Sequence, residues 1–148
     1  MSLQQWLNEG KLKPHQTTSQ EVAQLLQAIE RNIRDASIEA LSPDNRFTIA
    51  YQAALQLATI LLYASGYRPS ASVGHHYITI QSLRFTMGGD AKARIHYLDN
   101  CRKMRNASEY ERAGVVSNSG VAELLEELGA FRQDVLDWLK KFYPRLLA

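Results

Sequence analysis

The sequence predicts an all-α protein, an up-and-down bundle of about five main helices in one domain that spans residues 1–148. Apolar residues recur at steps of three and four along most of the chain, which is the period of an amphipathic helix. Prolines, glycines and capping Ser or Thr residues separate these periodic segments. Hydrophobic residues make up 45% and charged residues 22% of the chain, so the composition is that of a globular domain and a wholly disordered chain is excluded.

The first long helix is predicted to begin at Thr18 or Ser19, which can cap it, and to end near Leu41, because Pro43 disfavours helix at the residue before it. The second helix follows Pro43 and ends before Gly66. Its apolar residues extend around more than one face, so we expect it to be the most buried helix of the bundle. The inward stripe of the first helix consists of Val22, Leu25, Leu26, Ile29, Ile33, Ala36 and Ala40.

The remaining elements are shorter or less regular. A helical turn is predicted at residues 3–9, a third helix at 75–87, a fourth at 91–107 and a long last helix from a cap at Ser117 or Ser119 to residue 142. Within the third helix, residues 77–80 are Tyr-Ile-Thr-Ile and also fit a strand. Residues 70–74 and 113–119 are predicted to be loops.

Simple features of the sequence exclude several classes of protein. The single cysteine, Cys101, allows no internal disulfide and no Cys-rich zinc site. Neither a dinucleotide fingerprint nor a P-loop occurs, and we expect no metal and no cofactor.

The N-terminus lacks the regions of a signal peptide, and the most apolar stretch, residues 51–63, is too short to cross a bilayer. We therefore expect a soluble cytoplasmic protein without a membrane role, whose net charge of +2 neither indicates nor excludes nucleic-acid binding.

Two stretches of the chain carry a family resemblance. The first is residues 46–58, Arg-Phe-Thr-Ile-Ala-Tyr-Gln-Ala-Ala-Leu-Gln-Leu-Ala, followed by residues 64–69 and by Gly74-His75-His76. The second is residues 102–111, Arg-Lys-Met-Arg-Asn-Ala-Ser-Glu-Tyr-Glu. In order, spacing and helical setting they resemble the HEPN superfamily of helical bundles, many of which belong to toxin–antitoxin, abortive-infection and CRISPR systems. The resemblance covers roughly residues 3–142.

The hallmark motif of that family is an Arg, a polar residue after it and a His four to six positions beyond, and in the ribonuclease members it lines a cleft between two protomers. Arg105 matches the Arg and Asn106 the polar residue, but Tyr110, Glu111 and Arg112 stand where the His is expected. The chain is therefore similar to the HEPN branches with an Arg-Asn…Tyr variant. The resemblance implies Arg105, Asn106 and Tyr110 as catalytic residues, and a homodimer paired through the helices that carry them.

Cleavage of RNA without a metal needs a base, an acid and cations that stabilise the phosphorane. The planar fork of Arg105 suits the cationic role. The Tyr110 phenol, with an ordinary pKa of about 10, is a poor base at neutral pH but can donate a hydrogen bond or stack on a nucleobase. His75 and His76 are the candidates for the acid–base group, since His96 lies about 13 Å from Arg105 along a helix axis.

Residues 84–112 contain 7 basic and 4 acidic residues, which predicts a local basic patch in a nearly neutral chain. Such a patch is compatible with binding the phosphates of RNA or of a nucleotide. Together with the resemblance, it gives the predicted RNA- or nucleotide-binding set: Arg102, Lys103, Arg105 and Tyr110.

We therefore expect a HEPN-type protein of a prokaryotic toxin–antitoxin or defence system that binds RNA or a nucleotide, and that is a metal-independent endoribonuclease if it is active. The alternative is a non-catalytic HEPN module that acts as a binding or scaffolding partner, which the missing nuclease His favours. A bundle with no nucleic-acid role is the third option, and in that case Arg105 only pairs with Glu109 on the surface of its helix.

The resemblance also implies a protein partner. In some HEPN pairs a cognate nucleotidyltransferase antitoxin adenylylates a tyrosine near the motif, and Tyr110 is the candidate here. The mass of Tyr110-containing peptides after incubation with that enzyme and ATP tests this expectation, and an unchanged mass refutes it.

Overall fold

The computed structural model describes residues 1–71, 74–110 and 114–148, and for residues 109 and 110 the backbone alone is described. Its helices are Leu3–Asn8 (α1), Ser19–Ala36 (α2), Pro43–Ala64 (α3), His75–Gln81 (α4), Leu83–Thr86 (α5), Lys92–Tyr110 (α6) and Asn118–Phe142 (α7). Short 3₁₀ turns lie at Gly89–Ala91 and Pro144–Leu147. The strands Leu12–Pro14 (β1) and Tyr67–Pro69 (β2) pair antiparallel. The predicted all-α bundle of about five main helices is confirmed.

Helix α3 lies at the centre of the bundle. Ser42 caps it by accepting a hydrogen bond from the Asn45 amide at 3.2 Å, and Pro43 occupies its first position. It contacts α2, α4, α5, α6 and α7, so the predicted second helix is the most enclosed one, as expected. Its buried residues are Phe47, Ala50, Tyr51, Ala53, Ala54, Leu55, Leu57, Ala58, Ile60, Leu61 and Leu62.

Helix α3 is also long and apolar enough, by length and composition alone, to cross a membrane. This finding corrects the expectation that the most apolar stretch of the chain is too short for that. Most of the apolar stretch is buried inside the bundle, and a helix surrounded by other helices needs the same composition. Packing therefore accounts for the apolar character of α3, and the absence of a membrane role stays a prediction.

Helix α2 begins where the sequence predicts and ends earlier. The Thr18 hydroxyl accepts a hydrogen bond from a backbone amide of the first turn at 3.1 Å. The helix ends at Ala36, whose carbonyl accepts a hydrogen bond from Arg46 Nε at 2.8 Å. This cation satisfies a carbonyl that the end of the helix leaves open. The residues that follow are exposed, so the assignment of Ala40 to the apolar stripe is wrong.

The predicted third helix is divided at Ser82 into α4 and α5. Ser82 is completely buried, and its hydroxyl donates a hydrogen bond to the Thr79 carbonyl at 2.6 Å, in competition with the helical pattern. Residues 77–80 are helical, so the strand alternative is wrong. Thr79 and Ile80 are buried where α4 packs against α3 and α6. Gly74 precedes α4 at a φ of 92°, a conformation in which a residue with a Cβ is strained.

The β1–β2 pair is not predicted from the sequence, because three residues are too few to show an alternating pattern. It joins the chain before α2 to the chain after α3, with Leu12 opposite Pro69. Leu12 is buried with Trp6 and Leu62 in a small apolar cluster beside the main core. The pair therefore holds the N-terminal residues against the end of α3.

Asp44, in the first turn of α3, fixes the chain that leads into α7. Its carboxylate accepts hydrogen bonds from the amides of Gly114, at 2.6 Å, and Val116, at 3.3 Å. The Gly114 amide is the main reason that the pKa of Asp44 lies below its ordinary value. Ser117 then caps α7 through the Gly120 amide at 3.0 Å, which decides between the two predicted caps. Residues 72, 73 and 113 of the two predicted loops lie outside the described part of the chain.

Replacing Leu57 with Ala tests the central position of α3. Leu57 is completely buried, so the substitution leaves a cavity, and we expect the free energy of unfolding to fall by about 2–5 kcal/mol. Urea denaturation followed by circular dichroism measures the change. Ile38→Ala is the control, because Ile38 is 47% exposed and its truncation should change stability by no more than about 0.5 kcal/mol. Equal losses in the two variants would contradict this arrangement.

Candidate functional site

Three helices bring four side chains together at one place on the bundle. Tyr51 belongs to α3, His76 to α4, and Arg102 and Arg105 to α6, and these three helices contact one another. Arg102 and Arg105 are three positions apart, so they lie on the same side of α6. We call these four residues the arginine–histidine cluster.

Tyr51 is the most buried member of the cluster, with 1% of its surface exposed. Its hydroxyl oxygen lies 3.4 Å from Nδ1 of His76, and either atom can be the donor in this contact. The two ring centroids are 5.9 Å apart. Burial raises the pKa of Tyr51, against the lowering effect of Arg102 and Arg105. The hydroxyl therefore keeps its proton at neutral pH.

His76 is half-buried, and its imidazole is a weak base in this position. Burial lowers the pKa of His76 to about 4, and the neighbouring His75, Arg105 and Arg102 add to the lowering. The His75 ring is exposed and stands edge-on to the His76 ring, with 4.6 Å between the centroids. His76 is therefore neutral at pH 7 and lies in a positive electrostatic potential.

Arg105 and Asn106, the pair that matches the HEPN motif, are in contact with each other. Nη1 of Arg105 donates a hydrogen bond to Oδ1 of Asn106 at 3.1 Å. The Arg105 guanidinium carbon lies 5.9 Å from the centroid of the Tyr51 ring, within the range of a cation–π contact. Both side chains are half-buried, so they are presented at the edge of the bundle rather than inside its core.

Arg102 connects the cluster to the exposed surface. Its Nε donates a hydrogen bond to Oδ1 of Asp99 at 2.9 Å, and its guanidinium carbon lies 5.4 Å from the centroid of the Tyr77 ring. Lys103 is 65% exposed, and its Nζ lies 3.5 Å from the other Asp99 oxygen. Asp99 therefore balances part of the charge of Arg102 and Lys103.

The structure gathers most of the predicted site residues at one end of α6. His76 is the histidine that reaches the cluster, whereas His75 stands exposed beside it. His96 is exposed elsewhere on α6, as expected, 3.3 Å from the side-chain amide of Asn100. The predicted residues that lie together on α6 are Arg102, Lys103, Arg105 and Asn106. The Tyr110 side chain, and Glu111 and Arg112, lie outside the described residues.

Tyr51 and Tyr77 are the neighbours that sequence reasoning misses. The periodicity of α3 assigns Tyr51 to the core, and the β-branched residues around Tyr77 attract attention only as an alternative strand. A buried phenol needs a partner for its hydroxyl, and that requirement is a signal that could have singled out Tyr51. No comparable signal identifies Tyr77, because its contact with Arg102 joins two different helices.

The basic residues of the segment 84–112 are divided among different neighbours, so the predicted patch is narrower than the charge count indicates. Arg94 extends toward α7, where its Nε and Nη1 contact Glu127 at 2.7 Å and Asp134 at 2.9 Å. Arg84 donates to the backbone and side-chain oxygens of Gln81. The positive charge around His76 therefore comes from the cluster itself.

The described residues offer neither a metal site nor a reactive thiol. Among residues 1–71, 74–110 and 114–148, no three His, Cys, Asp or Glu side chains are grouped in a way that could hold a metal ion. Cys101 is buried, and burial raises the pKa of its thiol to about 11. A thiol of that kind is a packing residue rather than a nucleophile.

Comparison of the chain with protein-family models, curated proteins and solved structures gives no significant match. The fold and the site define an all-α bundle that presents two arginines beside a neutral imidazole. Membership of the HEPN superfamily rests on the resemblance of the motif residues and stays a prediction.

The electrostatics of the cluster predict an unusual titration of His76. We expect its imidazole to titrate at a pKa of about 4 in the folded protein, instead of about 6.5. NMR spectra measure the midpoint, with the signal assigned from a His76→Gln variant. In Arg105→Ala the midpoint should rise toward the ordinary value, because a cation that opposes protonation is removed.

Arg31→Ala is the matched control for this titration, since Arg31 is an exposed cation on α2. It removes the same charge from a different helix and should leave the His76 midpoint in place. A native midpoint near the ordinary value, or equal shifts in the two arginine variants, would contradict the described cluster.

Proposed function

We propose that this chain is a HEPN-type protein of a prokaryotic toxin–antitoxin or defence system, and that it binds RNA or a nucleotide at the arginine–histidine cluster. The observation that carries the proposal is the geometry of the cluster. Arg105 lies 5.9 Å from the centroid of the Tyr51 ring, the Tyr51 hydroxyl lies 3.4 Å from His76, and Arg102 lies on the same side of α6 as Arg105. The resemblance of Arg105 and Asn106 to the HEPN motif supplies the family, and the charge of the cluster supports an anionic ligand.

Phosphate is the anion that suits the cluster best. Arginine presents several N–H donors in a planar fork that matches phosphate oxygens. Arg102 and Arg105 lie about one helical turn apart, so they can contact neighbouring oxygens of one phosphodiester group. The Tyr51 hydroxyl and the neutral His76 add hydrogen-bonding groups that bring no negative charge of their own.

The charges on α6 support the same ligand. Like charges held close together repel each other, and Arg102 and Arg105 lie on one side of the helix. The carboxylate that contacts Arg102 is Asp99, at 2.9 Å, and it is shared with Lys103. A phosphate bound between the arginines would place negative charge beside two cations.

The cluster has parts that a metal-independent ribonuclease needs. The neutral His76 can accept the proton of a ribose 2′-hydroxyl, and Arg105 can stabilise the charge of the phosphorane. A general base works best when its pKa lies near the working pH, and the pKa of His76 is about 4. That weakness favours the second candidate function, a non-catalytic HEPN module that binds RNA or acts as a scaffold for a partner.

Two further features belong to the proposal through the resemblance alone. They are a homodimer and a cognate nucleotidyltransferase antitoxin that modifies Tyr110. The cytoplasmic location stays a prediction from the sequence.

RNA binding at the cluster should depend on salt and on Arg105. We expect the affinity for a fluorescein-labelled single-stranded oligo(A) to fall steeply with salt, because phosphate binding releases counterions. Arg105→Ala should weaken binding by about 10- to 150-fold at low salt, as expected for the loss of a charge-assisted hydrogen bond. It should also reduce the log–log salt slope by about 0.7. Fluorescence anisotropy measures both quantities.

Arg31→Ala again serves as the control, because it changes the net charge equally and leaves the cluster intact. Its affinity for oligo(A) should stay close to that of the native protein. Equal losses in the two variants, or binding that does not respond to salt, would sink the proposal and leave a bundle without a nucleic-acid role.

Cleavage separates the two candidate functions. A ribonuclease should cleave the labelled RNA in the presence of EDTA and lose that activity in both Arg105→Ala and His76→Gln, whereas a binding module leaves the RNA intact. With the pKa of His76 at about 4 in the free protein, a ribonuclease that uses it as the base should show a constant kcat/KM from about pH 5 to 8. A decline of kcat/KM below about pH 7 would assign the base to another group.

A further inference from the structure

We propose that Tyr77, with Arg102 across its ring, is a stacking platform for a nucleobase, so that the ligand of this protein is single-stranded RNA rather than a duplex. The inference rests on the proposed function, because it assigns the base that accompanies a phosphate at the arginine–histidine cluster. Tyr77 follows His76 directly in α4 but is not itself a member of the cluster.

Tyr77 is exposed although its helix is firmly packed. The side chain is 44% exposed, whereas Thr79 and Ile80 of the same helix are 2% and 1% exposed. The helix contacts both α3 and α6. The packed helix therefore fixes the backbone of Tyr77 at the surface, so only the side chain has to become ordered when a ligand stacks on the ring.

Arg102 links Tyr77 to the phosphate-binding groups. Its guanidinium carbon lies 5.4 Å from the centroid of the Tyr77 ring, and its Nε is held by Asp99 at 2.9 Å. The same side chain is one of the two cations beside His76. A base that stacks on the ring face opposite Arg102 can therefore belong to a nucleotide whose phosphate reaches Arg102.

An exposed aromatic ring beside cations is the arrangement that single strands require. Every nucleobase has a π face, so an aromatic side chain can stack on it with little sequence preference while basic side chains follow the backbone. In a duplex the bases are paired and stacked on one another, so the phosphates are accessible and the base faces are not. The platform therefore distinguishes single strands from duplexes, which arginines alone do not.

A cation beside an aromatic ring is common in proteins. The contact between Arg102 and Tyr77 is informative because it lies next to the arginine–histidine cluster. Phe142 provides the comparison. It is 54% exposed, and Lys141 lies 5.2 Å from its ring centroid, but it is the last residue of α7 and its ring neighbour is Trp138. Phe142 is therefore a matched control, an exposed ring with a cation and without the cluster.

Anisotropy titrations at low salt test the platform with three fluorescent probes: single-stranded oligo(A), an abasic ribose-phosphate oligomer of the same length, and an RNA duplex of the same strand length. The native protein should bind the single strand most tightly. Tyr77→Leu should weaken oligo(A) binding by roughly 5- to 150-fold, the effect of losing one aromatic stacking contact, and should leave binding of the abasic probe unchanged. Tyr77→Phe and Phe142→Leu should bind oligo(A) like the native protein.

The outcomes separate failure of the platform from failure of the proposed function. The platform is overturned if Tyr77→Leu binds oligo(A) as tightly as the native protein does, or if the native protein binds the single strand and the duplex equally. If Arg105→Ala still weakens oligo(A) binding in that case, the proposed function is retained. If the native protein binds none of the three probes, both fail. The comparison of single strand with duplex uses the native protein, so it does not depend on how any variant folds.

Discussion

The burial of α3 is the constraint on which the rest of the structure depends. A helix whose apolar residues surround most of its circumference must be covered on most sides, and α2, α4, α5, α6 and α7 supply that cover. Each large side chain buried in this way contributes about 1.5–3 kcal/mol. The alanines at positions 50, 53, 54 and 58 are buried as well, and they let the neighbouring helices approach closely. Small residues therefore contribute to the arrangement of the bundle beside the large ones.

The candidate site follows from the same constraint. Tyr51 fills a core position of α3, but its hydroxyl needs a hydrogen-bonding partner, and His76 lies 3.4 Å from it. Covering Tyr51 in turn leaves His76 half-buried, and this burial is the largest cause of the low pKa of the imidazole. Arg105 lies over the same Tyr51 ring. The packing of the core, together with the choice of charged residues, thus sets the electrostatics of the site.

Features that repeat or act locally are the ones that the sequence predicts well. The long helices repeat their apolar residues over several turns, and the caps at Thr18 and Ser117 act within one turn. The three-residue strands have no such signal, because their partner lies far along the chain. The same distinction between local and distant features applies to the site. A short motif in the sequence points to Arg105, whereas its neighbour Tyr51 lies on another helix and has no local signal that links the two. From the sequence alone, Arg94 counts toward the predicted basic patch. Its two carboxylate partners are 33 and 40 positions away in the chain, so they become apparent only in the structure.

In the proposed function, phosphate binding and the protonation of His76 are coupled at this cluster. A bound phosphate places negative charge beside His76 and opposes the effect of Arg102 and Arg105, so the pKa of the imidazole rises when the anion binds. Proton uptake and anion binding then favour each other by linkage. An imidazole that is too weak a base in the free protein becomes a stronger one in the complex. A bound phosphate opposes the contribution of Arg102 and Arg105 but leaves the contribution of burial in place. In the proposed function, the step from binding to cleavage therefore depends on whether the pKa of His76 rises far enough in the complex for the imidazole to act as a base.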